Sequence, residues 1–334
     1  MQITHQKSFP CADAGSIYCP CYLAATGDCV LCSQFQGRDF CDCQWCGVCV
    51  YQLDRPTGDP PPGRQERAGT VTARRELAPD SVLITIATHR LTAESWSAPG
   101  TFVFLKKSGY PQAFYAPVSL LETEITGDRL ALTALIEALG PKTRSIAEAA
   151  RVDVRGPYWN GLFGRRSLDI ARGTRVLILA RGPGQGAALN VARYVAPTEA
   201  EITMVIDPAR AGAPLFLAET RATGARVLVG RLDPPLPGDA ADRGLNIENL
   251  IRETAPGLVV SCGADWLHHR VGQTMERVGL RAPMVFTNNR ALCCGEGVCG
   301  SCLLFTSDGE PIRTCKADLG ADDWRRMRGE FRGG

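Results

Sequence analysis

Histidine is nearly missing from this chain, with four in 334 residues. None of His89, His268 and His269 sits in a pattern with a partner acid or nucleophile. Histidine-centred acid–base catalysis is therefore not the expected chemistry, and these three read as structural or surface residues. An excess of one charge is missing too. The net charge is +2 and no basic stripe is interleaved with aromatics, which argues against nucleic acid as a partner. No apolar run approaches the roughly 18–20 residues of a membrane span. Residues 1–10 lack the charged-then-apolar profile of a secretory leader, so the expected location is cytoplasmic. Hydrophobic content of 45% and charged content of 22% describe a globular chain, and its length suits two or three domains.

What is abundant is cysteine. Nine of the fifteen lie between Cys11 and Cys49, five lie between Cys293 and Cys315, and Cys262 stands alone. In a reducing compartment such numbers point to metal ligands before disulfides. Four residues separate Cys294 from Cys299, two separate Cys299 from Cys302, and twelve lead to Cys315. The first three have the spacing of a plant-type [2Fe–2S] ferredoxin loop. Gly295, Gly297 and Gly300 let such a loop curl round a cluster with its N–H groups facing sulfur. Spacing makes Cys294 the ligand and Cys293 its neighbour.

The N-terminal block holds the pair Cys19 and Cys21, the pair Cys29 and Cys32, and the run Cys41, Cys43, Cys46 and Cys49. Thiols so close in sequence can turn two sulfurs to one metal. The block has few aliphatic residues, so metal would have to supply its stability. Four-cysteine zinc sites or a zinc ribbon are one reading. One or more additional iron–sulfur clusters, [4Fe–4S] first among them, are another, and disulfides are a third. Tetrahedral thiolate sites suit zinc and iron alike.

Residues 53–67 contain Pro56, Gly58, Pro60, Pro61, Pro62 and Gly63 and read as an extended linker. β-type runs at 69–76, 82–87, 101–106 and 131–138 follow, with 152–155 a candidate to close them into an antiparallel barrel. After residue 172 apolar strands at 175–180, 202–206, 226–229 and 257–261 alternate with helical stretches, the pattern of a parallel α/β sheet. The turn containing Gly182, Gly184 and Gly186 lies between the first of these strands and a helix, as a dinucleotide loop does. Asp207 ends the next strand, where a carboxylate can accept ribose hydroxyls.

Several segments, taken in order, resemble the ferredoxin–NADP reductase superfamily. The nearest likeness is to the electron-transfer subunit of dihydroorotate dehydrogenase and its relatives in sulfide dehydrogenase and electron-bifurcating transhydrogenases. Residues 99–105 followed by Tyr115-Ala-Pro117-Val-Ser119-Leu resemble the flavin strand, whose signature is Arg-Pro-x-Ser. Pro117 and Ser119 match, while Ala116 stands at the arginine position and removes a bidentate phosphate partner. Gly140, Lys142, Thr143 and Arg144 resemble the Gly-x-x-Thr element that receives the FAD diphosphate at a helix N-terminus. Lys142 and Arg144 could partly replace the missing charge. Residues 155–161 match the Gly-Pro element ending the flavin domain. Cys262, Gly263 and Asp265 fall in a segment resembling the Cys-Gly-Pro element beside nicotinamide, with Ala264 in place of proline.

The resemblance implies a multi-domain chain. A Cys-rich metal or iron–sulfur module at 1–52 and a linker at 53–67 precede an FAD-binding β-barrel at 68–170. An NAD(P)-binding α/β domain at 171–286 and a [2Fe–2S] domain with its tail at 287–334 complete it. The N-terminal block resembles an extension carried by some relatives. The implied activity is that of an iron–sulfur flavoprotein subunit of an oxidoreductase complex. Electrons would pass between NAD(P)H, FAD and iron–sulfur clusters, within a bifurcating transhydrogenase or hydrogenase. Catalytic partner subunits and ferredoxin are the implied partners. The competing expectation is a non-catalytic docking subunit, in which Ala116, Pro183 and Ala264 mark degenerate sites and zinc staples the N-terminus.

Overall fold

The computed structural model describes residues 10–14, 16–19, 21–29, 31–41, 49, 51–52, 64–90, 95–232, 244–305, 309, 311–320 and 323. A short helix α1 (Tyr22–Ala25) precedes six antiparallel strands: β1 (Glu66–Ala78), β2 (Ser81–His89), β3 (Phe102–Lys107), β4 (Ala116–Thr126), β5 (Arg129–Glu137) and β6 (Arg151–Tyr158). They close into a barrel in the order β1-β2-β5-β4-β3-β6. Alternation drives this half. In β5 every second residue, Leu130, Leu132, Ala134 and Ile136, enters the barrel interior, and the others face outward. Helix α2 (Pro141–Glu148) packs on β3 and β5.

The second half is a sheet in the order β10-β9-β8-β11-β12-β7. Its strands are β7 (Leu162–Phe163), β8 (Arg175–Arg181), β9 (Glu201–Asp207), β10 (Arg226–Val229), β11 (Leu258–Cys262) and β12 (Met284–Thr287). Strand β8 is an unbroken apolar run because helices cover both its faces. Leu177 and Leu179 enter one core, and Val176, Ile178 and Ala180 the other. Helices α3 (Gly184–Val195), α4 (Leu217–Ala222), α5 (Ile247–Thr254) and α6 (Asp265–Arg277) are the connections. Chain order reverses between β8 and β11, so a crevice opens at their carboxyl ends. Leu121 of β4, Leu189 of α3 and Phe216 form an apolar joint between the two halves. Finally β13 (Leu303–Phe305) and β14 (Pro311–Arg313) make a two-stranded hairpin.

The antiparallel barrel followed by an α/β sheet is the expected architecture. Two details differ. Strand β1 begins at Glu66, inside the stretch read as linker, because Arg64 and Arg67 are buried there. Strand β7, from the stretch assigned to the barrel, pairs antiparallel with β12 and extends the other sheet. Residues 53–63 lie outside the described residues. Among the described residues no helix is long and apolar enough to cross a membrane.

Candidate functional site

The main cavity, about 830 Å³, lies between the two halves. That volume suits a cofactor-sized molecule. One wall is β4 and β5, with Pro117, Ser119 and Glu137, together with Thr143 of α2. The opposite wall is the turn after β8, with Arg181, Pro183, Gly184 and Gly186. The turn after β11 and the end of β12 complete it with Gly263, Ala264, Asp265, Trp266, Thr287 and Asn289. Gly184 has no alternative residue. A Cβ there would stand 2.2 Å from the Cys262 carbonyl oxygen, so glycine alone lets the β8 turn close on the end of β11.

A buried polar chain braces the third wall. Ser261 Oγ lies 2.7 Å from His268 Nδ1, and His268 Nε2 lies 3.0 Å from Thr287 Oγ1 and 3.2 Å from Asn289 Nδ2. Asn289 also donates to the Gly263 carbonyl at 2.6 Å and to Asp265 Oδ1 at 3.0 Å. The ring is thus tied to Ser261 on one side and to Thr287 and Asn289 on the other. Burial lowers the His268 pKa to about 4, which keeps the ring neutral. His268 thus holds the cavity-lining Thr287 and Asn289. Sequence gave no sign of the link because its members are scattered over three elements.

The expected cofactor residues divide into two groups. Pro117, Ser119, Thr143, Gly184, Gly186, Gly263 and Asp265 line the cavity together. The others stand behind it. Gly140 caps α2, its N–H donating to Thr143 Oγ1 at 3.3 Å. Lys142 Nζ donates to the Tyr115 carbonyl at 3.5 Å, and Arg144 Nε to the Ala138 carbonyl at 2.9 Å. Gly182 shapes the β8 turn with φ 53°. The Cys262 thiol is fully buried in the sheet core, and burial pushes its pKa up to about 12. Asp207 does not reach the cavity. Its carboxylate is buried and accepts from the Ala209 and Leu232 N–H groups at 2.9 Å each, with Arg181 Nε at 3.2 Å. A strand-end carboxylate this fully engaged braces the loops after β9 and β10 and is not exposed to a ribose.

Tyr115 points away from the cavity into an aromatic cluster with Phe102, Phe104 and Tyr158, which packs on Cys302 and Cys315. Lys106 Nζ and the Arg155 guanidinium flank the Tyr115 ring at 4.7 and 5.0 Å. The same Arg155 donates to the Cys294 carbonyl at 3.1 Å. The barrel strand that carries Ser119 is therefore packed, through these rings, against the C-terminal cysteine loop.

The hairpin explains the twelve-residue gap in that loop. Leu303 pairs with Arg313, so Cys302 and Cys315 emerge beside each other at the open end. Thr314 ties them by donating from N and Oγ1 to the Cys302 carbonyl at 3.2 and 3.0 Å. Cys294 enters from the other side, its sulfur accepting the Glu296 N–H at 3.2 Å. Gly295, Gly297 and Gly300 all take positive φ, the curl expected of them. Cys315 shares hydrogen bonds with Cys294 and Cys302, which holds those two thiols low and raises its own. Cys294, Cys302 and Cys315 are thus neighbours, and Cys299 is exposed. Cys293 is exposed beside them. Among the described residues no three Cys, His, Asp or Glu side chains converge on one ion position. A binuclear cluster does not require that, since each iron takes two of four thiolates. The donor set fits a [2Fe–2S] centre.

Of the N-terminal thiols, Cys19, Cys21, Cys29, Cys32, Cys41 and Cys49 are described and stand outside any disulfide, while Cys43 and Cys46 lie outside the described residues. The Cys32 N–H donates to Cys29 Sγ at 3.2 Å. Burial raises the Cys29 thiol.

No family model matches the chain. It is 25% identical over 227 residues to a probable dihydroorotate dehydrogenase B (NAD(+)) electron transfer subunit of Methanopyrus kandleri, across 65% of this chain and 76% of that protein. It superimposes on the NADH-dependent reduced ferredoxin–NADP oxidoreductase, studied for flavin-based electron bifurcation, with TM-score 0.57 and 15% identity. That match spans 79% of this chain and 94% of the other. A ferredoxin reductase in carbazole 1,9a-dioxygenase matches with TM-score 0.50 and 16% identity, over 68% and 70% of the two chains. At these identities the structural likeness speaks for the fold. The chain resembles the ferredoxin–NADP reductase superfamily, and within it the electron-transfer subunit of dihydroorotate dehydrogenase.

Proposed function

We propose that this chain is an electron-transfer subunit of an oxidoreductase complex, linking NAD(P)H, FAD and iron–sulfur clusters. The observation that carries the reading is the shared cavity: Ser119 on the barrel strand faces Gly184 and Gly263 at the carboxyl ends of the parallel strands. Two redox cofactors held on those two walls would meet inside one enclosure.

Bound flavin would supply the conversion between two-electron hydride chemistry and single-electron transfer. The chain's own residues would place it. Ser119 presents a hydroxyl from β4 into the cavity, while Thr143 sits at the α2 N-terminus, where backbone N–H groups and the helix dipole favour a diphosphate. Ala116 offers no charge and Lys142 and Arg144 turn to backbone carbonyls, so diphosphate binding would rest on Thr143 and the α2 N-terminus. On the far wall Gly184 and Gly186 admit a dinucleotide backbone, and Asn289 and Asp265 offer donor and acceptor atoms. The aromatic cluster of Phe104, Tyr115 and Tyr158 packs between β4 and the thiols of Cys302 and Cys315, which with Cys294 and Cys299 would hold the [2Fe–2S] centre. The N-terminal block would hold a further iron–sulfur cluster or zinc. The five segments given above, with the barrel starting at Glu66 and β7 moved to the α/β sheet, are the proposed domain division, and a catalytic partner subunit would hold the final substrate.

The test is anaerobic purification followed by flavin, iron, sulfide and zinc analysis, with NADH and NADPH oxidation by an artificial acceptor. The reading expects released flavin, iron with matching sulfide, and turnover with at least one nicotinamide. Iron without flavin or turnover would instead favour the docking subunit.

A further inference from the structure

The two cysteine regions stand at opposite ends of the sequence, yet they touch. Cys11 forms a β-bridge with Ala317, the Ala12 N–H donates to the Lys316 carbonyl at 2.6 Å, and the Asp318 N–H donates to the Pro10 carbonyl at 2.6 Å. Leu23 of α1 lies 2.7 Å from where a side chain on Gly297 would begin. Beneath this contact four charges are buried together. Lys316 Nζ donates to Asp13 Oδ2 at 2.6 Å and to Glu296 Oε2 at 2.8 Å. Arg64 donates to Asp13 at 2.5 and 3.1 Å and to Glu296 at 3.3 Å, its guanidinium held 4.2 Å from the rings of both Tyr18 and Tyr158. Tyr158 Oη donates to Glu296 Oε1 at 3.0 Å.

The quartet is neutral, two cations against two carboxylates, and each member comes from a different segment. Asp13 belongs to the N-terminal block, Arg64 to the entry of β1, Glu296 to the loop between Cys294 and Cys299, and Lys316 to the residue after Cys315. Burying four charges is costly unless all are paired, so the arrangement holds only with the N-terminal block in place.

We propose that the Asp13–Arg64–Glu296–Lys316 clasp seats residues 10–14 and α1 of the N-terminal cysteine block on the C-terminal four-cysteine loop, so that an iron–sulfur group held by the N-terminal thiols would be the next station of one intramolecular electron path. The clasp residues are positioning residues. This rests on the function proposed above and adds the route and its direction of contact. In such a transfer one ferrous iron held by Cys294, Cys299, Cys302 and Cys315 would become ferric, and one ferric iron held by the N-terminal thiols would become ferrous. No bond forms or breaks and no proton moves.

The experiment uses the full chain, purified anaerobically with its metals and reduced with dithionite. Electron paramagnetic resonance relaxation of the [2Fe–2S] signal reports a paramagnetic neighbour, and hydrogen exchange of residues 10–23 reports docking. Three variants are compared with wild type: Asp13→Asn, the pair Asp13→Asn with Lys316→Met, and the pair Cys29→Ser with Cys32→Ser. Asp13→Asn leaves the quartet with a net positive charge and should expose residues 10–23 and slow the relaxation severalfold. Adding Lys316→Met leaves Arg64 against Glu296, again neutral, and should restore much of both. The Cys29→Ser, Cys32→Ser chain should keep the docking contact but relax slowly, and this arm stands even if Asp13→Asn does not fold. Unchanged protection in Asp13→Asn, or relaxation already slow in wild type, would overturn the proposal. So would zinc in place of iron on the N-terminal thiols. Failure of the functional reading is distinct, appearing as a wild-type protein without flavin or without a [2Fe–2S] signal.

Discussion

The two cysteine regions reach order by different means. The C-terminal set hangs on a hairpin, whose strand pairing puts Cys302 beside Cys315 through local hydrogen bonds. The N-terminal block has one four-residue helix among its described residues and otherwise turns. It borrows its order from long-range contacts, the β-bridge to Ala317 and the ion quartet beneath it. A cysteine-rich segment can thus be ordered by local backbone pairing, or it can depend on a distant part of the chain.

The largest effect should come from breaking the hairpin-borne set. Cys302→Ser or Cys315→Ser should abolish the [2Fe–2S] absorption and paramagnetic signal, with flavin content kept near wild type. Retention of the signal in both variants would remove those thiols from the ligand set. Next comes the clasp. Arg64→Met leaves two buried carboxylates against Lys316 alone and should destabilise the docked region by about 3–5 kcal/mol. Denaturant unfolding and exchange of residues 10–23 would measure it, while the barrel signal should change little.

A third prediction concerns pH. Burial depresses His268 from 6.5 to about 4. Such a group withholds stability as acid protonates the unfolded chain first, so the α/β half should weaken as pH falls from about 6.5 toward 4. The full window is worth roughly 3 kcal/mol. His268→Gln should flatten that part of the profile in urea titrations at several pH values, relative to wild type. An identical slope in both proteins would show that His268 is accessible to protons. The smallest change is Gly184→Ala. The clash with the Cys262 carbonyl must shift the turn, costing about 1–3 kcal/mol and weakening nicotinamide binding at least tenfold with flavin retained. Calorimetry with NADH and NADPH would check it.

Much of the architecture was legible beforehand, for reasons visible in individual residues. The alternation in β5 and the unbroken apolar run of β8 correspond to one-sided and two-sided burial. Ser119, Thr143, Gly184 and Gly263 carried enough local context to be placed on one cavity. Asp207 misled because position at a strand end does not show which way a carboxylate turns. Here two loop N–H groups and Arg181 draw it inward. Strand β7 was too short to carry a period. The clasp was illegible for a stronger reason: Asp13 and Lys316 are 303 positions apart, and single charges carry no pattern.

That separation also sets an order of events during synthesis. A chain emerging N-terminus first exposes its nine early cysteines long before Lys316 and Glu296 leave the ribosome. The bond between Asp13 and Lys316 closes nearly the whole polypeptide into a loop, so it forms among the last contacts. Until then the N-terminal block lacks the long-range contacts that order it in the folded chain.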